Sequence, residues 1–211
     1  MPRYRRLTQL LWRKFSKRNW FPDTLDYTAL RYAAIESRMI EASRYVDFHH
    51  ANFEVFSYEF ASILRDCGSV FSSIMDMLVK ATNQKENTLN IKNYQEWLSK
   101  EIENIHLVAV GIAGLGEYVL YPFRKENGKF EWWSAFTDVK HSEVVTLESG
   151  NLDNALHSLG AIAILYALMD THNGRDIRLF HQIGFMLDDN GSPVDIADAS
   201  KDFVLFKAKK R

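Results

Sequence analysis

Residues 130–170 read FEWWSAFTDVKHSEVVTLESGNLDNALHSLGAIAILYALMD: an aromatic-rich segment, a turn-prone one, then the most apolar segment of the chain. The spacing predicts a helix from about Glu131 with Trp132, Phe136 and Val139 on one face at i, i+4 and i+7. Trp133, Thr137, Lys140 and His141 fall on the adjoining face. A second helix is expected from an Asn151 cap onward, since asparagine readily accepts hydrogen bonds from the free N–H groups of a first turn. Its apolar run, Leu159 to Met169, is too short to span a bilayer and suits a buried helix. A chain organised around such a helix is expected to be mainly α.

The segments before this unit extend the pattern. Proline disfavours helix at the residue before it, so Phe21-Pro22-Asp23 is expected to precede a helix capped by Asp23 or Thr24 and running to about Phe48. Its apolar stripe is Tyr27, Leu30, Ala34, Ile35, Met39, Ala42 and Val46, with Arg31, Glu36, Arg38, Glu41 and Arg44 on the other face. His49-His50-Ala51-Asn52 is a corner. A second long helix is expected from Phe53 or Ser57 to Ala81, burying Phe56, Phe60, Ile63, Leu64, Cys67, Phe71, Ile74, Met75 and Leu78. Gly68, unfavourable within a helix, implies close approach of another helix. After a polar loop, Asn90 or Asn93 starts a third helix with Ile91, Tyr94, Trp97, Leu98 and Ile102 inward.

From Ile105 to Phe130 the helical period is lost. Three glycines and a proline among β-branched and aromatic residues, then a turn over Lys125-Glu126-Asn127-Gly128, point to an irregular hairpin or extended chain. The expected organisation is therefore a basic arm (1–22), an antiparallel bundle of four or five helices (23–170) with an irregular insertion (105–130), and a short appendage (171–211) packed on the bundle.

Charge is unevenly distributed. Arg3, Arg5, Arg6, Arg13, Lys14, Lys17 and Arg18 lie among the first 18 residues with no acid, leaving 19 basic against 27 acidic residues elsewhere. With Leu7, Leu10, Leu11 and Phe15 at helical spacing, this arm suits phosphate neutralisation, an anionic membrane surface, or docking on the acidic body. An Arg-rich, acid-poor start is also shared by mitochondrial transit peptides. The single cysteine, Cys67, excludes an internal disulfide and reads as a core residue; a reducing, cytoplasmic compartment is expected. No Cys/His cluster has zinc spacing, so no metal is expected. Gly111, Gly114 and Gly116 lack a dinucleotide-binding context, and phosphate-loop, zinc-protease and hydrolase motifs are missing, so no cofactor is expected.

Two candidate sites remain. Lys140-His141 sits at a helix C-terminus, where the macrodipole favours cations; Glu59 is a candidate partner across the bundle. Alternatively, Arg44 precedes His49 and His50 at the corner. In either place a histidine suits general acid/base work, with a cation beside it for phosphate.

The long helices, the W-W-x-x-F-x-x-V-K-H stretch and the Asn151-capped apolar helix resemble bacterial HEPN-type helical domains over about residues 27–170. The resemblance implies a homodimer or a partner protein, and binding of RNA or a nucleotide-bearing partner in a defence or toxin–antitoxin setting. Catalytic members of that kind carry Arg, four to six residues, then His, a spacing that occurs in this sequence at Arg44 with His49 and His50 and at Arg175 with His181. Lys140-His141 holds the similar place without that arginine, which implies binding without cleavage. The alternatives are metal-independent ribonuclease activity and a purely structural interaction domain with the Lys-His pair buried in salt bridges.

Overall fold

The computed structural model describes residues 21–81, 89–102, 105–111, 119–142 and 146–170. Residues 1–20 of the basic arm and the appendage, with Arg175 and His181, lie outside the described residues, and residues 21 and 22, expected in the arm, belong to the first helix. The structure is mainly helical: α1 (Phe21–Ala42), α2 (Tyr58–Ala81), α3 (Ile91–Glu101), α4 (Glu131–Ser142) and α5 (Leu152–Asp170). Between α3 and α4 the insertion forms two small antiparallel pairs. Val110–Gly111 (β1) pairs with Val119–Leu120 (β2), and Lys125–Glu126 (β3) with Lys129–Phe130 (β4). The β3–β4 turn puts Asn127 and Gly128 at φ 49° and 79°, a conformation these two residue types tolerate.

Local chemistry sets the helix limits. Ser57 Oγ accepts from Phe60 N at the start of α2, and Asn151 Oδ1 accepts from Asn154 N at the start of α5. Asn90 caps α3 by accepting from Lys92 N, and Asn93 Oδ1 reciprocates by accepting from Asn90 N. Phe21-Pro22-Asp23 lies in the first turn of α1 and not ahead of it. A proline is tolerated there because first-turn N–H groups have no partner inside the helix. Helix α1 also stops at Ala42, short of Phe48. Arg44 N and Tyr45 N bond back three residues, to Glu41 O and Ala42 O, and the tightened turn releases the chain into the corner.

The buried face of α1 differs from the expected stripe. Tyr32, Ile35 and Met39 are buried, and so are Thr28 and Glu36, whereas Tyr27 and Leu30 are exposed. The face is rotated because Tyr32 Oη donates to Glu36 Oε1 at 3.2 Å, which lets a carboxylate enter the interior and leaves two apolar residues outside. On the flank, Arg38 donates to Glu59 (2.8 Å), Ser62 (2.9 Å) and Asp66 (2.6 Å), and Arg31 lies 3.6 Å from Asp66. These half-exposed pairs add little stability but fix α1 antiparallel to α2. Glu59 is thereby engaged by Arg38, not by Lys140.

The core centres on Phe71 of α2. Its ring lies 5.1–6.5 Å from those of Trp132, Trp133, Phe130, Tyr94 and Phe123. Trp132, fully buried, donates Nε1–H to Pro122 O at 2.8 Å. Gly68 meets the Phe136 ring so closely that a Cβ there would lie 2.3 Å from it, so α4 crosses α2 at the expected glycine. Cys67 is fully buried beside Ser158 of α5, and burial pushes its thiol up to about 12.

Candidate functional site

The connection between α1 and α2 is pinned to the start of α5. Ser57 N donates to Gly150 O, Leu152 N to Val55 O and Asp153 N to Phe53 O, and Phe56 bridges Asn151. The corner thus supplies the carbonyls that the first turn of α5 needs. Gly150 packs directly on Ala61, where a Cβ would come within 2.5 Å. Helices α2 and α5 therefore start together and run in the same direction, with Cys67 meeting Ser158 farther along. Helix α4 ends at the same place, since Thr146 N and Oγ1 both donate to Ser142 O and lead into the short turn before Gly150.

This topology brings the two candidate sites to one end of the bundle. Arg44, His49 and His50 lie on the corner, Lys140 and His141 at the end of α4, and all five are exposed. Neither Lys140 nor His141 pairs with a carboxylate among the described residues. Lys140 Nζ instead sits 5.6 Å from the centre of the Phe136 ring. That is not the buried salt-bridged pair expected of a purely structural domain.

The corner histidines have local roles. His49, in extended backbone, caps a 3-10 turn (His50–Asn52), its Nδ1 accepting from Ala51 N at 3.2 Å. A neutral His49 accordingly carries its proton on Nε2 and presents a donor to solvent. The His50 ring lies 4.1 Å from it. Asn52 Nδ2 donates to Asp47 O and stiffens the turn.

Sequence reasoning missed the aromatic part of this face. Tyr45 is 86% exposed and Phe56 46%, both on the connection between α1 and α2, and Tyr58, the first residue of α2, is 67% exposed. Phe56 was expected inside α2; it precedes the helix and commits its backbone to Asn151. Also missed is His157, whose Nδ1 lies 3.1 Å from Asp153 Oδ1 and 3.0 Å from Asp153 O. Its signal was present as a four-residue spacing on one helix face. Among the described residues no group of three or more His, Cys, Asp and Glu gathers at metal distance, and no helix is long and apolar enough to cross a membrane. In comparison with known proteins, no family model, no curated protein and no solved structure matches the chain.

Proposed function

We propose that the chain is a HEPN-like helical module that binds RNA, or a nucleotide-bearing partner, at the corner end of the bundle without cleaving it. One observation carries the reading: Arg44, His49, His50, Lys140 and His141, from two separate parts of the chain, reach the same end and are all exposed. Cations suit phosphate, and the exposed Tyr45 and Tyr58 rings suit bases, whose faces stack on aromatic side chains.

Two features favour binding over cleavage. A general base is normally held by a third group, and His141 has no such orienter among the described residues. His49 commits the nitrogen that would take a proton to its cap on Ala51. The reading rests on chemistry and topology together with the resemblance of the chain to HEPN-type domains. It is tested by titrating the full chain with a fluorescent single-stranded RNA. Arg44→Ala with Lys140→Ala should weaken binding about tenfold or more, at unchanged helix content. Equal affinity in the double variant removes this face from consideration.

A further inference from the structure

Phe56 carries an unused pair of backbone groups. Its neighbours are committed to the start of α5: Val55 O accepts from Leu152 N, and Ser57 N donates to Gly150 O. Those two bonds make Phe56 and Asn151 the non-hydrogen-bonded pair of their antiparallel bridge, so the N–H and C=O of Phe56 point away from α5. No hydrogen bond engages either group among the described residues, and Phe56 is 46% exposed. The residue is also held from both sides, since Val55 N donates to Asn52 O and Ser57 O accepts from Ala61 N. A donor and an acceptor therefore stand side by side at a fixed place on the corner.

We propose that this pair reads the base-pairing edge of one unpaired nucleobase, so that the ligand of the corner end is single-stranded. The inference rests on the RNA-binding reading above and names its substrate class. Three arguments select a base. The first is chemistry. Every base carries a donor beside an acceptor on that edge, as uracil does with N3–H and O4 or adenine with N6–H and N1. In a duplex those groups are already taken. The second is length. The turn closed by Val55 N ends just before Phe56, and α2 starts at Tyr58, so the open edge is one residue long. An added peptide strand draws its affinity from a row of main-chain bonds, and it would find a single pair here. A base needs only that pair. The third is charge. Glu54 and Glu59, both exposed, flank the edge in sequence, which suits an uncharged base and not a phosphate. Arg44 lies on the same connection for the phosphate, and exposed Tyr45 and Tyr58 offer stacking surfaces to neighbouring bases.

The test compares two fluorescent strands titrated against the full chain, oligouridine and the same oligomer built from N3-methyluridine. Methylation keeps the charge and the stacking face and replaces the N3–H donor. The methylated strand should bind about tenfold more weakly, and an RNA duplex of equal length should fail to displace oligouridine. A second readout needs no altered strand. In protein carrying isotope-labelled phenylalanine, the Phe56 amide resonance, assigned by its loss in Phe56→Leu, should move when oligouridine binds and stay in place with the methylated strand. Tight oligouridine binding that ignores methylation and leaves the Phe56 amide unmoved overturns this inference and leaves the RNA-binding reading standing. Displacement of oligouridine by an extended peptide of alternating valine and threonine would assign the edge to a protein strand and overturn it too. Failure of every RNA to bind would remove the underlying reading, and this inference with it.

Discussion

A methyl group at position 68 has no space, because the Phe136 ring already occupies the place of the Cβ. Gly68→Ala therefore sets a helix-propensity gain of about 1 kcal/mol against overpacking of about 1–3 kcal/mol. Since α2 and α4 would have to separate, net destabilisation is expected, measurable as a lower urea midpoint. The aromatic cluster ranks two other residues. Trp133, half-buried, touches the rings of Phe71, Tyr94, Trp132 and Phe136, so Trp133→Ala should cost about 3 kcal/mol. Exposed Lys140→Ala should cost less than about 1 kcal/mol; comparable losses of Tm would show that Lys140 is a structural partner. Cys67 sets a pH dependence. Burial raises the folded thiol from 9.0 to about 12, so in alkali the unfolded chain releases its proton first and stability falls as pH rises. Between pH 8 and 9, below the ordinary value of 10.0 at which Tyr32 and Tyr94 begin to contribute in the unfolded chain, Cys67→Ala should flatten the fall, whose ceiling for one proton is about 1.4 kcal/mol per pH unit. An identical slope in the variant would place the titrating group elsewhere.

Elements with a single strong local signal were legible in the sequence. The Asn151 cap, the Asn127-Gly128 turn and the Gly68 crossing all stand where residue type alone puts them, and of the two asparagines that could start α3 it is Asn90 that caps, with Asn93 reciprocating. Helix α1 was harder because its periodicity supports two faces a few tens of degrees apart. The choice fell to Tyr32 and Glu36, which enter the interior as a hydrogen-bonded pair that hydrophobicity alone would assign to the surface. The candidate site was legible as residues and not as a place. Lys140-His141 and Arg44-His49-His50 read as rivals, because nothing in a linear sequence reports that residues 53–57 bind residues 150–153. At this scale the basic arm makes its own prediction. If its cations neutralise phosphate on single-stranded RNA, deleting residues 1–18 should reduce the slope of log affinity against log salt by about 0.7 for each phosphate no longer neutralised. An unchanged slope would leave the arm with a docking role only.

For the whole molecule, the mainly α bundle expected from the apolar period is present, and the decisive experiment on its chemistry is a negative control. Metal-independent cleavage requires one group to take the 2′-hydroxyl proton and another to protonate the leaving oxygen. With His49 acting as a cap and His141 unsupported, the intact protein in EDTA should leave single-stranded RNA and tRNA uncut from pH 6 to 8 while still binding them. Cleavage abolished by His141→Ala, or by His49→Ala or His50→Ala, would restore the ribonuclease reading. The bridge from Phe56 to Asn151 has a further consequence, for biosynthesis. It joins positions about 95 residues apart in sequence, and closing so long a loop costs chain entropy before any contact compensates. While the ribosome is still making α4, α1 and α2 can already pair, but the corner has no strand partner and its exposed aromatic rings sit on an unanchored turn. The corner face therefore matures only after α5 emerges, so a nascent or C-terminally truncated chain would carry every corner residue and still lack the surface.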